Sequence, residues 1–264
     1  MALAVLLWFL AALALLVSGL TLLSKSDIRY TRIQRAVAQA NAAGDGAAAL
    51  FLVDAPGKVL YDEVDGFIRQ YELGGLTVDV RMVPEVGLIN LGLADQEVLE
   101  QLFEYAGLGA AEANGLVESV LKWRSPMESE AIPEMHVVED ILAIPGMTRE
   151  LFYRIRPLVY VDLGGGSQVD ASVAPVEVLQ VLAANDIEAA HRILAERVDV
   201  LEAYDVPPGV KLVSPFRLDM RVKLEGAGVF ERSVWVTADG TSALGWRVFR
   251  RYPSRAVFLD QEKE

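Results

Sequence analysis

The sequence predicts an α+β protein: a long N-terminal helix laid on an antiparallel sheet, with an all-helical insert dividing the sheet in two. Three observations predict it. The first 24 residues, MALAVLLWFLAALALLVSGLTLLS, carry no charge. Two distant stretches, LTVDVRM (76–82) and FRLDMRVKLEG (216–226), alternate apolar and polar residues with the period of a half-buried strand. Between them, residues 94–198 lose that alternation and take helical spacing instead.

About 20 apolar residues span a bilayer core as a helix. Met1 to Leu23 is apolar except for Ser18 and Thr21. A secretory signal has a basic start, a shorter apolar core and a small-residue cleavage site. Here the basic start is missing and the run is too long, so residues 1–23 read as a transmembrane segment. Lys25, Arg29, Arg32 and Arg35 follow it, opposed nearby only by Asp27. The positive-inside rule alone puts that flank in the cytoplasm. Tyr30, Ile33, Val37 and Ala40 recur at helical spacing, and Ala-rich sequence continues to Leu52. Residues 24–57 are therefore a continuation of the N-terminal helix, weakened at Gly44 and Gly46 and ended by Pro56-Gly57. Two readings stand. Either one helix runs ~80 Å from residue 1 to about 55, or a short anchor precedes a separate helix.

Residues 58–93 form the first part of the α/β body. Gly74-Gly75 is a turn, Val78, Val80 and Met82 share one strand face, and GLINL (87–91) is a further short strand. In the insert (94–198), one helix stops at Gly107–Gly109 and a second breaks at Ser125-Pro126. VVEDILAI, PGM and TRELFYRIRPLV then read as helix, turn and helix, with Pro145, Gly146 and Met147 as the hairpin turn and Thr148 as N-cap. Pro175 suits the first turn of a following helix, and Asn185 or Asp186 starts the last one. Residues 199–264 return to antiparallel strands. Phe216, Leu218, Met220, Val222 and Leu224 share one face; Arg217, Asp219, Arg221 and Lys223 share the other. Asp239-Gly240 marks a hairpin. A sheet with one apolar face must be covered, and the second half of the long helix is the cover.

The formal net charge is −13, none of it in the first 24 residues. Such a body repels phosphate backbones, so no nucleic-acid partner is expected. There is no cysteine, which excludes disulfides and thiolate chemistry. The two histidines, His136 and His191, stand far apart. The sequence holds no nucleophile elbow, phosphate loop or HExxH, and no catalytic or cofactor-binding residue is expected. The acids Glu128, Glu130, Glu134, Glu139 and Asp140 lack the spacing of a calcium loop and read as a solvated loop, with His136 at the surface. INLGLADQEVLEQL (89–102) and VDASVAPVEVLQVL (169–182) align at an offset of 80 residues. They are two related helical units or a chance likeness of two helix starts. IPGM before TRELFYRI resembles a helix–hairpin–helix element, with AGLGAAEANGLVESVL as a looser copy. DNA binding through it would need flanking cations, and Arg149, Arg154 and Arg156 are outnumbered by acids.

Taken in order, several short segments resemble the general secretion pathway protein K family, the minor pseudopilin K of the type II secretion system. They are Leu7-Trp8, Ile89-Asn90-Leu91, Trp123-Arg124-Ser125-Pro126, Ile144-Pro145-Gly146-Met147, Ile155-Arg156-Pro157-Leu158-Val159 and VDASVAPVEVL (169–179). The resemblance covers nearly the whole chain. It implies a pseudopilin fold, a single-pass anchor in the bacterial inner membrane and a body in the periplasm. It also implies a tip-capping and assembly-initiating role beside the minor pseudopilins I and J, and contact with secreted proteins. In such precursors a basic leader is cut off and the new N-terminus methylated. That leader would reverse the charge-based orientation and make Met1 the processed end. Val5 then stands where other pilins carry a Glu that the K proteins lack. Val5, Leu7, Trp8, Leu10, Leu13 and Leu16 are the expected membrane and bundle contacts. The family associates calcium with its acidic region. Here Gly92 interrupts the first motif, and Ser125 and Met127 replace the acids after Trp-Arg, so no metal ligands are carried over. The alternative reading is a membrane-anchored helix–hairpin–helix DNA-binding protein of competence type, which a basic face on the insert would support. A third, an anchored periplasmic enzyme, lacks a catalytic constellation.

Overall fold

The computed structural model describes residues 2–54, 68–124, 135–162, 166–203, 215–242 and 245–257. The breaks expected at Pro56-Gly57 and Ser125-Pro126 lie outside these residues. The first element is one uninterrupted helix, α1 (Ala2–Asp54), of 53 residues. At 1.5 Å per residue it is ~80 Å long. Gly44 and Gly46 do not break it, because the sheet uses them. A Cβ on Gly44 would lie 2.9 Å from Cδ of Arg232, and one on Gly46 would lie 3.2 Å from Leu73. The two glycines let side chains from the sheet press against the helix backbone.

The sheet is antiparallel, in the order β1 (Ile68–Leu73), β2 (Leu76–Pro84), β5 (Phe216–Leu224), β6 (Gly228–Ala238), β7 (Trp246–Arg251), with β8 (Arg255–Val257) also on β6. Gly74 and Gly75 both take positive φ, 59° and 79°, as a two-residue hairpin turn requires. The β6–β7 connection opens at Asp239, whose carboxylate accepts the Thr241 N–H at 2.9 Å. The apolar face of β5 named above is buried throughout. It forms one core with Val78, Val80 and Met82 of β2 and with Ala36, Ala40, Ala43, Ala47, Ala48, Phe51 and Leu52 of α1. Alanines at that spacing let the helix axis approach the sheet closely. Arg232, itself buried, ties the two layers. It donates to both carboxylate oxygens of Asp45 at 2.9 Å, to Oδ1 of Asn41, and to the carbonyl of Tyr252 at 3.2 Å.

Between β2 and β5 stands the helical unit. Its helices are α2 (Gln96–Tyr105), α3 (Ala110–Arg124), α4 (Arg149–Ile155), α5 (Val176–Leu182) and α6 (Ile187–Ala203). The unit is not wholly helical. β3 (Ile89–Asn90) pairs in parallel with β4 (Val159–Tyr160), and VEDILA (138–143) forms a 3₁₀ rather than an α-helix. Parallel pairing joins residues 70 apart in sequence, which a local pattern does not register. A second apolar core runs through the unit, from Val83 to Leu194, and takes in Trp235 of β6.

Replacing Arg232 by Met keeps its apolar stem but removes the bidentate pair. Asp45 is half exposed and can rehydrate, so the expected loss is about 2 kcal/mol. A urea midpoint for the full chain in mild detergent checks it, and an unchanged midpoint would show that the alanine stripe alone holds the helix to the sheet.

Candidate functional site: the apolar helix and the helical unit

Along α1 the environment changes in a fixed order. Near the start Leu7, Trp8, Leu10 and Leu13 are all more than half exposed, Trp8 at 79%. Val5 and Leu16 lie on the same helix, but their side chains, like Met1, fall outside the described residues. Arg32 and Arg35 border the hairpin ends at Gly75–Thr77 and Lys223–Ala227. Asn41 and Asp45 meet Arg232 in the middle of β6. Within Tyr30–Asp54 an 18-residue stretch is apolar enough, at mean hydropathy 1.2, to pass as a spanning helix, but 44% of that stretch is buried. That half is the cover of the sheet, and the charge-free run before Lys25 is compatible with a single-pass anchor.

The helical unit sits at the opposite end of the strands. Pro84 faces Phe216 at one end of the β2–β5 ladder, beside the β6–β7 turn, and the β1–β2 and β5–β6 turns lie at the other end. The chain leaves at Glu85 and returns at Pro215, and these two residues are joined by a hydrogen bond from Glu85 N to Pro215 O of 3.0 Å. The chain therefore enters and leaves the unit at one point. It leans on the outer face of the sheet, where alternation alone predicts solvent. Arg217 is 7% exposed. It donates to Pro157 O at 2.8 Å and to Asp219 at 3.0 Å, and Trp235 beside it is buried in the helical core. Arg221 and Lys223, further down the same face, are exposed.

Inside the unit the 80-residue echo is a repeated structure. Oδ1 of Asn90 accepts the Gly92 N–H at 3.0 Å, and Oδ1 of Asp170 accepts the Ser172 N–H at 2.9 Å. The carbonyls of the same two residues accept from Leu93 and Val173 at 3.1 and 3.2 Å. Asp95 and Pro175 then hold the N-cap positions of α2 and α5, and Leu99 and Leu179 are equally buried. The two turns pack together: Asp170 N donates to Val86 O at 2.7 Å, and a Cβ on Gly87 would lie 2.7 Å from Val173 O. Asn185 does not cap α6. Its Nδ2 donates to Gln101 O at 3.2 Å, tying the second unit to the first, while Asp186 caps through Glu188 and Ala189. Arg124, the second half of the Trp-Arg pair, clamps the first turn by donating to the carbonyls of Leu91 and of Ala94, the latter at 2.7 Å. Burial pushes its guanidinium down to about 10.

Pro145 and Gly146 are exposed and Met147 is half-buried, with Gly146 at φ 92°. Thr148 caps α4 by accepting the Leu151 N–H at 3.2 Å. Of the three cations beside this turn, Arg154 pairs with Glu150 at 2.9 Å and Arg156 with Glu139 at 3.7 Å. Asp140 accepts two backbone N–H groups, from His136 and Val137, so its carboxylate serves the turn. Glu128, Glu130 and Glu134 lie outside the described residues. Among the described residues no three acids or histidines converge as metal ligands.

Glu85, at the junction, is pushed up to about 7 by burial and by the nearby Asp162 carboxylate.

No family model matches the chain, and no curated protein matches it. Among solved structures it is similar to a chain of the crystal structure of the GspK-GspI-GspJ complex from the enterotoxigenic Escherichia coli Type 2 Secretion System. The identity is 14%, the match covers 88% of this chain and 99% of that one, and the TM-score is 0.47.

Two outcomes are expected. Arg124→Ala removes a charged double donor from two buried carbonyls and should cost about 3 kcal/mol, seen as a lowered Tm; a neutral result would place those carbonyls in contact with water. Glu85 ionises less readily in the folded chain than in the unfolded one. Its stabilising contribution is present below about pH 4.5 and lost as pH rises through about 7. Glu85→Gln should therefore raise Tm at pH 8 and change little at pH 4.5, and equal shifts at both would rule out this origin.

Proposed function

We propose that the chain is a minor pseudopilin of the type II secretion system, capping the pseudopilus tip and helping to initiate its assembly for export of folded proteins across the outer membrane. One observation supports this most. The helical unit stands on the end of the sheet that points away from the apolar half of α1. A subunit that joins a helical filament through its N-terminal helix has no room for another above it when a body of that size covers its distal end. Capping follows from shape, without any reaction. Bundle contacts would come from Val5, Leu7, Trp8, Leu10, Leu13 and Leu16, and the processed, methylated end would be Met1. Residues 1–23 would cross the inner membrane and the body would stand in the periplasm. The partners implied by the family resemblance are the minor pseudopilins I and J, with secreted proteins met at the tip. The turn at Pro145–Met147 serves the unit's own packing.

The chain enters and leaves the unit at neighbouring residues, which allows a test. Deleting residues 86–214 and closing Glu85 to Pro215 through a short glycine turn should leave β2 and β5 paired, as judged by far-UV circular dichroism. Secretion should then be lost and pseudopili should lose their length control. Normal secretion by a folded, membrane-inserted deletion variant would sink the capping role. Retention of the full chain on double-stranded DNA at moderate salt would favour the competence-type reading instead.

A further inference from the structure

The groove at the foot of the sheet has no part in the reading above. It holds about 730 Å³ between α1 and the hairpin ends, and it is lined by Arg32, Arg35, Gln39, Thr77, Lys223 and Glu225 among others. Three cations stand there against one carboxylate. In a chain with 37 acids and 24 Lys and Arg, most buried or half-buried arginines of the sheet have found a carboxylate, as Arg81, Arg217, Arg232 and Arg255 show; Arg32, Arg35 and Lys223 at the groove are exposed. Among the described residues Arg32, Arg35 and Lys223 have no hydrogen-bond or ion-pair partner. At 100° per residue, Lys25, Arg29, Arg32 and Arg35 fall within about a third of the helix circumference. That arc is continuous with the face bearing Ala36, Ala40 and Ala43, which packs on the sheet. The face that is apolar where the sheet covers it becomes basic where the sheet ends.

We propose that this groove binds the phosphate of an anionic phospholipid headgroup from the bilayer that the chain spans. The inference rests on reading residues 1–23 as a membrane span. From Leu23, Arg32 is about 14 Å and Arg35 about 18 Å along the helix axis, and headgroups occupy roughly 5–8 Å of that rise. Helix side chains lean toward the N-terminus, here toward the membrane. The guanidinium groups thus stand within about one Debye length of the headgroups at physiological salt. A cleft lined by one sign of charge focuses that attraction. Free phosphate offers the same oxygens, but position favours the lipid, which is held permanently at this height. The bound headgroup would fix the tilt of α1 and seat the hairpin ends against the membrane surface.

The test uses the full chain in nanodiscs of equimolar phosphatidylglycerol and phosphatidylcholine. Lipid retained after stepwise detergent delipidation is quantified by mass spectrometry. Phosphatidylglycerol should be enriched at least about fivefold, roughly what a single juxtamembrane cation supplies. The R32Q/R35Q/K223Q variant, which keeps Lys25 and Arg29, should lose most of that enrichment, while E225Q should increase it. Equal retention by the wild type, undiminished enrichment in the triple variant, or a fall in E225Q would overturn the proposal. Added inorganic phosphate at constant ionic strength should leave the enrichment unchanged, and its abolition would make this a free-phosphate site and overturn the lipid assignment. Co-elution of the chain with the discs reads the anchor separately. A chain that co-elutes without lipid preference loses the groove but keeps the span.

Discussion

The close contact between the alanine face of α1 and the sheet is the constraint on which the rest depends. Most helical stability in proteins comes from a packed face, and the sheet gives the second half of α1 that face. Small residues at Ala36, Ala40, Ala43 and Ala47 bring the helix near enough for Phe51, Phe216 and Met220 to close the core. Gly44 and Gly46 remove even the methyl group where Arg232 and Leu73 press in. The price is paid in helix propensity, and the bidentate Arg232–Asp45 pair holds the register that the glycines leave open.

That register sets everything above and below it. With Asn41 and Asp45 fixed on β6, the basic turn of α1 falls beside the hairpin ends and the apolar run projects clear of the body. The strand ends at Pro84 and Phe216 fall at the far side, where the helical unit grows from a single hydrogen-bonded junction. The unit is not hinged on that junction alone. Arg217, Asp219 and Trp235 use the outer face of the sheet as a second contact, so one sheet carries a different layer on each side of its distal end.

The helical unit repeats its own design. Two turns, at Asn90 and Asp170, use a side-chain oxygen to hold the amide two residues on, and each launches a helix with buried leucines at matching places. The copies diverge where they do different work. Asn90 is buried and bonded to the carbonyl of Asp162 at 2.7 Å, with Arg124 over its turn, whereas Asp170 is exposed. Burial of an uncharged amide there is less costly than burial of a carboxylate, which accounts for the Asn–Asp difference.

Local features were legible in the sequence because local chemistry determines them. The apolar run, the alternation in 76–82 and 216–226, the Gly74-Gly75 turn, the Thr148 cap and the 80-residue echo all depend on neighbours a few residues apart. The choice between one long helix and two, the parallel β3–β4 ladder, the burial of Arg217 and the Arg124 clamp did not show there. Each joins residues tens of positions apart, or, like the continuity of α1 across Gly44, depends on a side chain from β6. The sequence by itself determined which faces would be apolar. The tertiary structure decided what covers each face, because burial is a property of the partner brought to a surface as much as of the surface itself.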